Sequence, residues 1–109
     1  TVLFSDLRGF TTWSETLPPE ELTSKLNGYF SAMTPVILEE HGTIDKFIGD
    51  AIMAFWNAPL TVKDHEKHAV LAALIVLKFD FFIRHILTIL RLNSPNLNIK
   101  INVQLRYSK

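Results

Sequence analysis

Residues 43–56 read Thr43-Ile44-Asp45-Lys46-Phe47-Ile48-Gly49-Asp50-Ala51-Ile52-Met53-Ala54-Phe55-Trp56. Two runs rich in β-branched and aromatic side chains flank Gly49-Asp50. Such runs favour strands, and glycine reaches the backbone angles that a two-residue turn demands. The stretch predicts a β-hairpin, Thr43 to Ile48 and Ala51 to Trp56, with a carboxylate at its tip.

Upstream, Leu22, Leu26, Tyr29, Phe30, Met33, Ile37 and Leu38 recur at three- and four-residue spacing. This is one face of an amphipathic helix. Pro19 suits its first turn, Glu20 and Glu21 meet the positive end of its dipole, and His41-Gly42 ends it, with glycine in the usual C′ role. Pro35 removes one ladder bond and predicts a kink. Further back, Val2 to Asp6 is a short buried strand ending in a carboxylate. Leu7 to Thr11 form a tight connection around Gly9, and Thr11 or Thr12 caps a short helix through Glu15.

Downstream, Asn57-Ala58-Pro59 breaks the chain. Asp64 is placed to cap a long helix reaching about Leu92, and Ser94-Pro95-Asn96 is a loop. From Leu97 to Leu105 apolar and polar residues alternate, which predicts a half-exposed strand. The order strand, helices, hairpin, helix, strand fits an α+β class with helices packed on a mainly antiparallel sheet.

Composition narrows the function. The chain has 109 residues, of which 48% are hydrophobic and 20% charged, so it reads as one folded domain or part of one. Eleven basic residues balance eleven acidic ones, giving no whole-chain electrostatic case for nucleic acid or an anionic membrane. No apolar run approaches the about 18 residues of a transmembrane helix. The absence of cysteine excludes disulfides, thiolate zinc sites and a cysteine nucleophile, and fits a cytosolic setting. The chain opens at Thr1 inside an apolar run, which points to an excerpt of something longer.

Chemistry gathers at two carboxylates. If the first strand lies beside the hairpin, Asp6 and Asp50 reach the same end of the sheet. Two such groups repel, and a divalent cation relieves the repulsion. Magnesium takes oxygen ligands, typically one or two carboxylates plus substrate phosphates. Backbone N–H groups of Leu7 to Thr11 then offer a cradle for phosphate oxygens. The plainer reading makes both aspartates turn residues, and spacing alone favours it.

Longer strings shift that balance. Leu3-Phe4-Ser5-Asp6-Leu7-Arg8-Gly9-Phe10-Thr11 and Asp45-Lys46-Phe47-Ile48-Gly49-Asp50-Ala51-Ile52-Met53-Ala54-Phe55 resemble the class III adenylate/guanylate cyclase catalytic domain, over Thr1 to about His68. Leu26-Asn27-Gly28-Tyr29-Phe30 and His41-Gly42-Thr43 are similar too. The resemblance implies a ferredoxin-like, palm-type fold, truncated here after the fourth strand. Residues 1–109 would be a partial cyclase domain, missing or divergent beyond about residue 76. It implies two Mg²⁺ or Mn²⁺ ions held by Asp6, Asp50 and the backbone carbonyl of Leu7, with Asp6 and Asp50 as the catalytic residues. Leu7, Arg8, Gly9, Phe10 and Thr11 would hold the triphosphate of ATP. Lys46 matches the purine-reading position, where lysine resembles adenylate rather than guanylate cyclases. The implied reaction is cyclisation of ATP to cyclic AMP, for intracellular signalling, at or near the cytoplasmic face of a membrane in the parent protein. The implied assembly is a homodimer with shared sites.

The chain also departs from the family. The later half, with its second purine-reading residue and its Asn and Arg for the transition state, has no match, and Val103 to Tyr107 does not continue the family's Gly-rich stretch. The fragment is therefore expected to be inactive alone. The rival reading is an inert cyclase-homology module serving dimerisation or regulation; a diguanylate cyclase or polymerase palm is weaker. Outside these strings, His65 and His68 read as a solvated helix start, His85 as an ordinary packed or edge histidine, Trp13 and Trp56 as core or interface aromatics, and Arg8 as either phosphate-binding or a turn residue.

Overall fold

A computed structural model describes residues 1–89 and 100–106. The elements are β1 (Val2–Arg8), α1 (Phe10–Ser14), α2 (Pro19–Glu39), β2 (Thr43–Ile48), β3 (Ala51–Phe55), α3 (His65–Ile89) and β4 (Lys100–Arg106). The Ser94–Asn96 loop, the helix end at Leu92 and the strand start at Leu97 lie outside the described residues. So do the side chains of Arg8, Trp13 and His85.

The sheet order is β2-β3-β1-β4, and every neighbouring pair is antiparallel. This is the ferredoxin-like arrangement of a βαββαβ chain, so the expected α+β palm fold is what the chain forms. The hairpin turns at Gly49 with φ 58°, and Ile48 faces Ala51 across it. β1 then inserts between β3 and β4, pairing Val2 with Phe55 on one side and with Arg106 on the other.

One face of the sheet carries the core. Along β1, Leu3, Ser5 and Leu7 are buried; along β3, Ile52 and Ala54, followed by Trp56 just beyond the strand, are buried as well. Met33 and Ile37 of α2 and Ala69, Ala72, Ala73 and Val76 of α3 complete the cluster. Each large side chain removed from water stabilises by roughly 1.5–3 kcal/mol. The alternate residues, Phe4 and Asp6 among them, are exposed on the opposite face.

Several local expectations are corrected. β1 continues through Leu7 and Arg8, because both pair with β4 (Ile101 and Lys100), so the connection shrinks to Gly9 with φ 77°. The short helix starts at Phe10; Thr11 and Thr12 therefore sit inside it instead of capping it. At the end of α2 the left-handed residue is His41, φ 64°, and not Gly42. The His41 N–H reaches the Leu38 carbonyl at 3.0 Å and the Gly42 N–H reaches that of Ile37 at 2.9 Å, the two bonds of a Schellman ending. Gly42 answers to packing: a Cβ there would stand 2.7 Å from side-chain atoms of both Ile37 and Trp56. Asp64 does precede α3, but with φ 56°, and its carbonyl accepts from the N–H groups of Lys67 and His68. Leu105 pairs with buried Leu3, yet is itself 36% exposed because β4 is an edge strand.

Candidate active site

β1 and β3 bring the two aspartates to one end of the sheet. The register pairs Ser5 with Ile52, so continuing it sets Leu7 against Asp50. There the Leu7 N–H donates to Asp50 Oδ2 at 2.8 Å. The Asp50 carboxylate thus rests on the peptide that joins Asp6 to Leu7. Asp6 itself is exposed on the helix-free face, whereas Asp50 is half-buried.

The remaining geometry separates their roles. Asp6 lines an open cleft of about 400 Å³ together with Phe4, Ser5, Ala51, Gln104 and Arg106. Asp50 is turned toward the Leu7 amide and does not line that cleft. Among the described residues neither aspartate has an ion-pair partner. The donor chemistry suits a hard divalent cation: the free Oδ1 of Asp50 and both oxygens of Asp6. In an antiparallel strand a residue's N–H and C=O point to the same neighbour, so the Leu7 carbonyl faces the Asp50 side too. No cluster of three or more His, Cys, Asp or Glu side chains with metal-binding geometry occurs among the described residues.

The Leu7 N–H, expected in the phosphate cradle, is already committed to Asp50. That leaves Gly9, Phe10 and Thr11 to supply backbone donors. Phe10 packs against the core and anchors this turn, while Gly9 and Thr11 are exposed.

Lys46 stands elsewhere on the same face. It pairs with Met53, which pairs with Phe4, so it shares the helix-free side with Asp6 while β3 lies between their strands. Its side chain is 56% exposed, and Nζ lies 3.5 Å from Asp45 Oδ2. An exposed pair of this kind contributes little stability and leaves the ammonium available.

Sequence reading overlooked Arg106 and Gln104, which β4 brings into the cleft beside Asp6. The alternation along β4 sets Gln104 among its polar positions; its cross-strand partner Phe4 cannot be read from spacing. His65 and His68, expected at a solvated helix start, are half-buried and partnered. His65 Nδ1 lies 2.7 Å from Thr1 Oγ1, and His68 Nδ1 lies 2.9 Å from Glu40 Oε2. Trp56 is a core residue whose indole N–H donates to the Glu40 carbonyl at 2.8 Å. No helix among the described residues is long and apolar enough to cross a membrane.

Comparison with known proteins gives a consistent result. The pattern of the Adenylate and Guanylate cyclase catalytic domain matches residues 1–105, farther than the stretch over which the resemblance could be quoted. Adenylate cyclase 1 of Rhizobium meliloti is 42% identical over 76 residues, 70% of this chain and 11% of that protein. The adenylate cyclase of Anabaena cylindrica is 49% identical over 57 residues, covering 52% of this chain and 11% of the relative. Among solved structures, the adenylyl cyclase CyaB from P. aeruginosa superposes with a TM-score of 0.81 at 36% identity, over 94% of this chain and 52% of that one. The guanylyl cyclase Cya2 gives 0.75 at 38%, over 94% and 51%. The chain thus spans about half the length of these solved chains and about a tenth of the curated relatives.

Proposed function

The chain belongs to the adenylate and guanylate cyclase catalytic domain family, and from that membership we propose that the protein is an adenylate cyclase, converting ATP to 3′,5′-cyclic AMP and pyrophosphate for signalling. The observation that carries this reading is the Asp50 carboxylate held on the peptide between Asp6 and Leu7. It collects two carboxylates and a carbonyl at one sheet end, beside a glycine turn.

In this reading Asp6, Asp50 and the Leu7 carbonyl would hold two Mg²⁺ or Mn²⁺ ions. When bound, such ions would supply Lewis-acid activation of the ribose 3′-OH and charge neutralisation of the triphosphate, for an in-line displacement at the α-phosphorus that forms the 3′ P–O bond and releases pyrophosphate. The Leu7 N–H fixes the Asp50 rotamer, so the carboxylate is oriented before substrate arrives. The turn Leu7, Arg8, Gly9, Phe10 and Thr11 lies along the triphosphate, with Phe10 anchoring it to the core. Lys46 reads the base: an ammonium donates to the N1 acceptor of adenine and meets a donor at N1 of guanine. The adenylate cyclases among the curated relatives support the same base.

The test is turnover by the full-length protein with ATP or GTP and Mg²⁺ or Mn²⁺. Cyclic AMP is the expected product. Asp50→Asn keeps an oxygen that can accept from Leu7 and replaces the free oxygen by an amide NH2 that carries no charge and cannot ligate a cation, so activity should fall by at least about 100-fold with the melting temperature unchanged. Lys46→Glu should shift the preference toward GTP. Cyclic GMP in preference to cyclic AMP from the unaltered protein overturns the base assignment, and neither product from either nucleotide overturns the cyclase reading.

A further inference from the structure

A second cleft lies at the opposite end of the hairpin, one strand length away, about 17–20 Å. It encloses about 570 Å³ between the start of β2 and the segment joining β3 to α3. Its ionisable lining is basic only: His41, Lys63 and His68 line it, and no aspartate or glutamate does. Thr43 and Thr61 add hydroxyl donors, while Leu60 and Val62 form an apolar wall.

These groups are held in place. The carboxylate of Glu40 can only accept, so the 2.9 Å contact puts a proton on His68 Nδ1 and fixes the ring; in the neutral imidazole Nε2 is then an acceptor. The His41 ring packs edge-on against that of His68, with centroids 5.0 Å apart. Asn57 Oδ1 accepts from the Val62 N–H at 2.8 Å and ties down the facing segment. Lys63 has no carboxylate partner among the described residues. Among the described residues, the non-glycine positions with positive φ are His41, Asn57 and Asp64; the first lines the cleft and the other two bracket its wall.

We propose that this cleft binds a phosphate-type oxyanion, with Lys63, His41 and the hydroxyls of Thr43 and Thr61 as hydrogen-bond donors and the Glu40-held ring of His68 as the wall against which His41 is set. It is separate from the catalytic end and needs no turnover, so it stands or falls independently of the cyclase reading. The probe is sulfate, whose charge is constant across neutral pH, titrated into the protein at fixed pH and ionic strength against chloride. The ring proton resonances of His41 and His68 report binding. Both should move with one saturating curve, Asp50→Asn should leave the curve unchanged, and Lys63→Ala should weaken it about tenfold. Lys63 is exposed, so that variant keeps its fold. A phenyl phosphate arm identifies the source. Tighter binding than inorganic phosphate assigns an organic phosphate lying on Leu60 and Val62; equal binding assigns the free anion. Absence of saturation, or an identical curve for Lys63→Ala, overturns the proposal.

Discussion

Two glycines separate a backbone requirement from a packing requirement. Gly28, inside α2, has nothing within 4 Å of a built Cβ, and only the entropy of glycine weakens the helix there. Gly28→Ala should therefore stabilise by about 0.5–1 kcal/mol. Gly42 does not have a positive φ, yet a Cβ would meet Ile37 and Trp56 at 2.7 Å, and both are buried in the core. Neither neighbour can yield cheaply, so Gly42→Ala should cost about 1–3 kcal/mol. Paired thermal melts check this: the two alanine variants should move Tm in opposite directions, and a neutral Gly42→Ala refutes the packing account. The sequence marked Gly42 as a helix stop, which was right about place and wrong about cause, because the cause is Trp56, fourteen positions on. Asp6 and Asp50 were legible for a similar reason of place, each at the end of an apolar run. The bond from Leu7 to Asp50 was not, since it depends on the β1–β3 register.

At the scale of elements, α3 shows where pattern reading misleads. Over residues 65–78, where burial is described, its exposed residues include Val70, Leu71, Leu74, Ile75 and Leu77, while Ala69, Ala72, Ala73 and Val76 are buried. The buried set keeps helical spacing, but weighting by hydrophobicity points to the larger, exposed side chains. Alanines let the helix axis approach the sheet closely, where bulk would hold it off. Ala72 is fully buried. Ala72→Leu should thus destabilise by about 1–3 kcal/mol, whereas Leu71→Ala, next to it on the exposed side, should change stability by less than about 1 kcal/mol. Chemical denaturation of both variants decides the matter; a larger loss from Leu71→Ala means that α3 is rotated from the orientation described. β1 shows the complementary limit. Its apolar run stops at Leu3-Phe4, and only pairing with β4 carries the strand on to Arg8.

Across the whole molecule, the order of elements was legible and pointed to helices packed on a mainly antiparallel sheet, while the palm topology came from the resemblance carried by the strings around Asp6 and Asp50. What the order could not give is which side stays bare. With α2 and α3 on one face, the other exposes Phe4 at 37% and Ile48 at 54%, alongside Asp6 and Lys46. Exposed apolar side chains beside charged ones on a face without helices are what a surface for a partner would present. Under the cyclase reading that partner is a second copy, because β3 separates Lys46 from Asp6 within one chain, while a facing copy can set its Lys46 against the first copy's Asp6 and Asp50. The consequence is quantitative. Lys46→Ala and Asp50→Asn proteins should each be nearly inactive as homodimers. Mixed in equal amounts and allowed to exchange, half of the dimers combine one chain of each kind, and in these one of the two sites has every group intact. Activity should recover to about one quarter of the unaltered protein. Activity no higher than the mean of the two separate variants would show that each site is built from a single chain.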